Sequence, residues 1–161
     1  MKLTLLSGVL LAGVLGAFAA ITVSGEPVSV TSATRDHLKT AMQGEAFAAA
    51  KYQLYADHAR KSGNVELDDL FERTAKVERF EHLVEEAALA QLVRDDTTNL
   101  EDAIAGESYE IDTMYREFAE QARAAGDQAA ASLFEEIRRD EMGHRDAFKA
   151  ALDRLHTTAR R

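Results

Sequence analysis

Glutamates stand where helical periodicity calls for apolar side chains. Residues three and four apart share one face of a helix, and each of four predicted helices carries one glutamate on its Leu-, Phe- and Ala-rich stripe. A buried, unpaired carboxylate costs several kcal/mol or takes up a proton, so four that converge require a shared counter-charge. Two divalent cations would supply it. The four residues are Glu45, Glu78, Glu107 and Glu141.

Histidine spacing on two of these helices favours a metal site. Di-metal bundle sites take one Glu from each of two helices and a Glu-x-x-His from each of the other two. Glu141 and His144 match that motif, whereas three residues after Glu78 stands Glu81, followed by His82. At 100° per residue Glu81 and His82 lie on opposite sides of Glu78, so geometry barely separates them. The internal repeat described below pairs Glu81 with His144, and we therefore prefer Glu81.

Composition restricts the metal and the partners. The 161-residue chain has no cysteine, which excludes disulfides, thiolate nucleophiles, iron–sulfur centres and cysteine-bound zinc. Oxygen and imidazole ligands suit iron, manganese or zinc. The formal net charge of -9 argues against nucleic acid as a partner, because phosphate backbones require a clustered basic surface.

The main part of the chain is predicted to be all-α. From Thr31 onward it is rich in Ala, Leu, Glu, Arg and Gln and has few β-branched clusters. Glycine, Asx or threonine capping groups mark three breaks. Short connections make neighbouring helices antiparallel, which predicts a four-helix bundle. The predicted helices are 33–61, 65–94, 98–125 and 127–155.

The second half of the sequence repeats the first. An offset of 63 residues pairs Tyr52 with Tyr115 and Glu78 with Glu141, which indicates a duplicated helical hairpin. Upstream of the tyrosines the offset is 62, so the third helix holds one extra residue between Glu107 and Tyr115. A helix commonly absorbs such an insertion as a π-bulge, and we predict one there.

The N-terminal segment is predicted to be a targeting signal or membrane anchor rather than a buried helix of the domain. Residues 3–23 are uncharged and long enough to cross a bilayer, and they include an Ala17-Phe18-Ala19 sequence of the kind that signal peptidase favours. We expect residues 1–24 to be a membrane anchor or a cleaved signal peptide. Either one places the protein outside the cytoplasm, anchored to the membrane or periplasmic or secreted. Residues 25–34 are predicted to be a linker, and 35–158 the folded domain.

Taken in order, these motifs resemble the rubrerythrin family over about residues 36–155. The resemblance implies a ferritin-like di-iron domain in which Glu78 and Glu141 bridge the two irons. In this resemblance, Glu81 stands at the position where the family has a histidine on its second helix. The matching stretches are Gln43-Gly44-Glu45, Lys51-Tyr52, residues 70–75 ahead of Glu78, Asn99-Leu100, residues 105–107 with Glu110, Met114-Tyr115 and Glu141-x-x-His144. The ligands that the resemblance implies are Glu45, Glu78, Glu107, Glu110, Glu141 and His144, and the internal repeat adds Glu81.

The resemblance also implies a reaction, the reduction of hydrogen peroxide at the iron pair. Rubrerythrins usually end in a rubredoxin-like iron–thiolate module, and a sequence without cysteine contains none, so we expect an external electron donor. Tyr52 and Tyr115 are packing residues whose phenols could also hydrogen-bond a ligand carboxylate. The alternatives are a ferritin-like ferroxidase or iron-binding protein and a di-manganese catalase-like enzyme.

A second apolar strip on the second helix predicts self-association. In a lone bundle this strip would be exposed, and exposed apolar patches of this kind often mark interfaces. We therefore predict a homodimer through this face. The strip consists of Val77, Phe80, Val84 and Ala88.

Overall fold

The computed structural model describes residues 29–158, which form four long helices. Helix α1 is Ser32–Lys61. Helix α2 comprises Val65–Val77, a π-helical turn Glu78–His82 and Leu83–Leu89. Helix α3 comprises Asp96–Tyr109, a second π-helical turn Glu110–Met114 and Tyr115–Ala125, and α4 is Gln128–Thr158. The described range contains no strand, which confirms the predicted all-α, ferritin-like fold class.

Polar side chains begin three of the helices. Thr31, Asn64 and Asp95 each accept a hydrogen bond from the backbone N–H three residues further on, so each satisfies a donor that the first turn leaves without a partner. The Thr31 cap begins α1 inside the segment predicted as a linker. Gly126 ends α3 with a φ of 88°, a left-handed conformation that glycine adopts without steric cost.

The helices pair as two hairpins, α1 with α2 and α3 with α4. Small side chains line both seams and let the helices approach closely; those buried are Ala49, Ala56, Ala59, Ala75, Ala119 and Ala131. A repeated ion pair joins each hairpin near its turn. Arg60 of α1 contacts Asp68 and Glu72 of α2, and Arg123 of α3 contacts Glu135 of α4.

The two hairpins do not pack against each other within one chain. In the range 29–158, no Cα atoms of α1 or α2 lie within 8 Å of those of α3 or α4. Each hairpin consequently leaves one apolar face uncovered. Leu67, Phe118 and Leu133, which periodicity assigns to the core stripes, are exposed on these faces.

Helix α2 ends at Leu89, so the predicted end at residue 94 was wrong. Gln91 adopts a left-handed conformation with a φ of 52°. Its N–H bonds the Ala88 carbonyl, and the Leu92 N–H bonds the Ala87 carbonyl, a Schellman closure. Glycine usually occupies the left-handed position of such a closure. Because Gln91 stands there instead, nothing in the sequence indicated that α2 ends at Leu89.

None of the helices between residues 29 and 158 is long and apolar enough to span a bilayer. The predicted anchor or signal peptide at residues 1–24 lies outside the described residues, as does the first part of the predicted linker.

The left-handed Gln91 gives a prediction about stability. Replacing it by glycine removes a steric cost of roughly 1 kcal/mol, so Gln91→Gly is expected to raise the free energy of unfolding by about that amount. Gln121→Gly, at an exposed position inside α3, is the matched control and is expected to lose about 1 kcal/mol. Denaturant titration measures both changes. A loss of stability in Gln91→Gly would contradict the assigned closure.

Candidate metal centre

The first hairpin brings together two carboxylates and an imidazole. Glu45 comes from α1, and Glu78 and His82 come from α2. One ligand atom from each lies within 4.8 Å of the others. The His82 Nδ1 atom is 2.8 Å from Glu78 Oε2 and 3.8 Å from Glu45 Oε2. This is a set of donors that could hold one metal ion.

The second hairpin repeats the arrangement. Glu107 comes from α3, and Glu141 and His144 come from α4, again with ligand atoms within 4.8 Å of one another. The His144 Nδ1 atom is 2.6 Å from Glu141 Oε2. The internal repeat in the sequence therefore appears in the structure as two equivalent half-sites, one per hairpin.

The π turn in α2 explains why His82, rather than Glu81, lies in the first group. A π turn closes with an i→i+5 hydrogen bond, here from the Leu83 N–H to the Glu78 carbonyl, so it contains an extra residue. In the wider turn the fourth residue after Glu78, and not the third, returns to the same face. His82 and Glu81 are both exposed, but only His82 has a ligand atom within 4.8 Å of those of Glu45 and Glu78.

The same π turn brings Glu86 towards the first group. Glu86 raises the pKa of Glu45 through its charge, and its Oε2 atom is buried without a hydrogen-bond partner. In an unbroken α-helix Glu85, seven residues after Glu78, would share the face of Glu78, but Glu85 is exposed. The sequence did not point to Glu86. The offset between the two repeats stays constant through α2, so nothing in the sequence indicated the bulge that turns Glu86 towards the group.

The carboxylates in each half-site repel one another. The pKa of Glu45 is raised by a hydrogen bond with Glu78, by burial and by the charge of Glu78. The pKa of Glu107 is raised chiefly by burial, then by a hydrogen bond with Glu141 and by its charge. Each pair therefore binds a proton more tightly than a lone carboxylate does, and a cation could take the place of that proton.

A buried oxygen at the second half-site favours a bound cation. The Oε2 atom of Glu107 is buried and has no hydrogen-bond partner. A buried carboxylate oxygen without a partner is costly, and a divalent cation relieves that cost directly. Oxygen and imidazole donors are the ligands that non-haem iron takes.

Glu110 and Tyr115 lie beside the second half-site. Burial raises the pKa of Tyr115, and the charges of Glu110, Glu141 and Glu107 raise it further. Its phenol therefore stays protonated at neutral pH. Within residues 29–158, neither this phenol nor that of Tyr52 hydrogen-bonds a carboxylate, and both rings pack against aromatic neighbours.

The π-bulge predicted in α3 is confirmed at Glu110–Met114. The Tyr115 N–H bonds the Glu110 carbonyl five residues back, so the Ile111 carbonyl loses its usual α-helical donor. Arg138 of α4 replaces it, donating from Nε to that carbonyl at 2.7 Å. This bond ties the bulge to the helix that carries Glu141.

The predicted ligands thus fall into two groups within one chain. Each hairpin supplies a Glu, Glu and His set, and the described residues bring no ligand of one hairpin to a ligand of the other. The assignment of these residues as iron ligands stays a prediction.

Comparison with known proteins identifies relatives. The rubrerythrin family model matches residues 36–152. The chain is 33% identical over 129 residues to a rubrerythrin of Nitratidesulfovibrio vulgaris, a match that covers 73% of this chain and 68% of the relative. It is 32% identical over 133 residues to a rubrerythrin of Porphyromonas gingivalis, covering 75% and 66%. Nigerythrin of N. vulgaris is 29% identical over 136 residues, covering 76% and 67%.

The contact between Arg138 and the bulge can be tested directly. Arg138→Ala leaves the part-buried Ile111 carbonyl without its donor, and we expect a loss of about 1–3 kcal/mol in the free energy of unfolding. Arg139→Ala is the matched control, because Arg139 bonds only an exposed carbonyl in its own helix. Equal effects of the two substitutions, measured by denaturant titration, would refute the tie between bulge and α4.

The half-sites also predict how the stability of the metal-free protein depends on pH. Hydrogen bonds with Glu78 and Glu141 raise the pKa values of His82 and His144 above the ordinary 6.5, and the Glu45 and Glu107 values lie above 4.5. The folded chain therefore binds these protons more tightly than the unfolded chain. That stabilisation is complete at low pH and is lost as pH rises through the folded pKa values.

We accordingly expect the unfolding free energy of the metal-free protein to fall between about pH 5 and pH 8. Denaturant titrations at several pH values measure it. The control is the Glu45→Gln/Glu107→Gln double variant, in which the fall should be smaller. Stability that increases steadily over this range in the metal-free protein would show that the half-sites do not hold these protons.

Proposed function

This chain belongs to the rubrerythrin family, and from that premise we propose that it is a non-haem di-iron oxidoreductase that reduces hydrogen peroxide. The family is one of di-iron proteins. The observation that carries the proposal is the repeated group of two glutamates and one histidine, one per hairpin. Manganese and zinc, which the ligand chemistry alone left open, have no support among the relatives.

The residues that would hold the metals are those of the two half-sites. We assign Glu78 and Glu141 as the carboxylates shared by both ions. When bound, the iron pair would supply two electrons and Lewis acidity for cleavage of the O–O bond. The proposed ligands are Glu45, Glu78 and His82 from the first hairpin and Glu107, Glu110, Glu141 and His144 from the second.

Charge balance supports this assignment. The four glutamates of the two half-sites, once deprotonated, carry four negative charges, which equal the charge of two divalent cations. Glu110 beside the second half-site and Glu86 beside the first add two further negative charges, which suit the more positive oxidised pair. The carboxylates thus supply enough charge to offset two cations in either oxidation state, which lowers the cost of burying them.

The reaction requires electrons from outside the site. Reduction of one hydrogen peroxide to two waters consumes two electrons and two protons. The 161 residues contain no cysteine, so they hold no iron–thiolate relay, and we place the donor outside them. The Tyr115 phenol lies beside Glu107, Glu110 and Glu141 and stays protonated, so it could donate a hydrogen bond to a group bound at this half-site.

We further propose that this chemistry takes place outside the cytoplasm. The support is the uncharged stretch of residues 3–23, preceded by Lys2, which has the length of a membrane-crossing segment. An uncleaved segment would attach the domain to the membrane. N-terminal sequencing of the protein recovered from cells distinguishes the anchor from the cleaved signal.

The reaction is tested by adding peroxide to the reduced, iron-loaded protein. We expect it to consume about one peroxide per metal pair and then to stop, because two electrons are spent in each turnover. Turnover should resume when a small chemical reductant or a rubredoxin is added. Continuous release of oxygen without reductant would indicate a catalase instead. Steady accumulation of many ferric ions per chain would indicate iron storage.

A further inference from the structure

Each hairpin has an uncovered face with the same chemical character. The aromatic cluster of Tyr52, Tyr55 and Phe71 in the first hairpin is repeated, 63 residues later, by Tyr115, Phe118 and Phe134 in the second. Tyr55 and Phe118 are 45% and 41% exposed. Leu70 and its repeat partner Leu133 are 48% and 53% exposed. Hairpins that expose equivalent apolar faces are suited to pack on each other.

The connection between the hairpins is ordered and points them apart. Gln91 closes α2, and Asp95 caps α3. Between them, the Asn99 side chain bonds both the N–H and the carbonyl of Arg94, at 2.9 and 2.8 Å. These bonds fix the direction in which α3 leaves the connection, so the separation of the hairpins has a local structural cause.

The connection is also too short for a ferritin-like bundle within one chain. Such folds join their two hairpins by one long crossover that runs back along the bundle. Residues 65–89 of α2 span about 37 Å. Residues 90–95 reach about 20 Å when fully extended. The second hairpin of the same chain therefore cannot lie on the first in the ferritin-like orientation.

We propose that two copies of this chain exchange hairpins. Each of the two resulting bundles contains the first hairpin of one copy and the second hairpin of the other, related by a two-fold axis. Each metal pair then lies between chains: Glu45, Glu78 and His82 belong to one copy, and the other copy supplies the second half-site. A single chain holds only half of each site.

This interface differs from the outer strip that the sequence analysis predicted. Phe80 and Val84 of that strip are exposed. Phe80 also lines a groove of about 610 Å³ between α1 and α2, and none of the half-site carboxylates lines that groove. The exchanged interface instead buries the faces that carry the ligands. The two surfaces can therefore be tested separately.

The first test needs no metal. The full chain, metal-free and in detergent, is expected to sediment as a dimer. Leu133→Lys places a charge on the ligand-bearing face and should produce monomers, whereas Phe80→Lys, on the outer strip, should leave the dimer intact. A monomeric unsubstituted chain would overturn the exchange. A dimer that only Phe80→Lys dissociates would also overturn it.

The second test is complementation, and it rests on the proposed di-iron site. Glu78→Ala and Glu141→Ala chains should each lose both irons when loaded alone. Unfolded together and refolded with ferrous iron, they form mixed dimers in which one bundle contains both substitutions and the other contains neither. We expect the mixture to recover about one quarter of the wild-type iron per chain.

The control mixture combines Glu78→Ala with Glu45→Ala, and it should recover no iron because every first hairpin is then defective. Lack of recovery in the Glu78→Ala and Glu141→Ala mixture, with normal loading of the wild-type chain, would overturn the exchange and leave the di-iron proposal standing. A wild-type chain that loads no iron would refute the di-iron proposal instead, and sedimentation would then decide the exchange.

Discussion

Carboxylates on the apolar faces of helices repel one another, and most features of this structure bear on how that repulsion is relieved. In each hairpin two glutamates from facing helices lie close enough to raise a pKa, and a histidine bonds one of them. A proton bound at each pair would relieve the repulsion in the metal-free chain. Cations relieve it better, because they also satisfy the buried oxygen of Glu107, which no protein donor reaches.

The π turns adapt regular helices to this requirement. An uninterrupted helix repeats its facing residues every three or four positions, which does not suit every ligand set. One π turn, in α2, returns His82 to the face of Glu78. The other, in α3, begins at Glu110, three residues after Glu107. Each turn frees a backbone carbonyl, and in α3 Arg138 satisfies it. The Arg138 side chain thus connects the bulge in α3 to α4, the helix that carries Glu141 and His144.

Much of this could be predicted from the sequence, because periodicity and an internal repeat are local signals. The start of α2 at residue 65 follows from a capping group, the duplicated hairpin from the spacing, and the bulge in α3 from a change of offset. Other features have no such signal. The bulge in α2 produces no change of offset in the repeat. The sequence therefore offered no reason to prefer His82 and Glu86 over their neighbours as residues of the metal site. The left-handed Gln91 carries no glycine to mark the end of α2.

The relation between the hairpins also lay beyond the sequence pattern. A short connection indicates antiparallel neighbours, but it does not state whether the neighbour belongs to the same chain. In the structure, capping bonds on both sides of Arg94 direct α3 away from α2. The apolar stripes that periodicity assigned to one core are consequently divided between two uncovered faces, and the ligands are divided with them.

The central claim is that the two half-sites join to form one coupled metal pair. Electron paramagnetic resonance of the oxidised, iron-loaded chain tests it most directly, because two ferric ions that share carboxylates couple their spins. We expect two irons per chain and almost no signal from isolated ferric ions. Two irons per chain that give the full signal of separate high-spin ferric ions would show that each hairpin binds its metal alone, and would contradict the account.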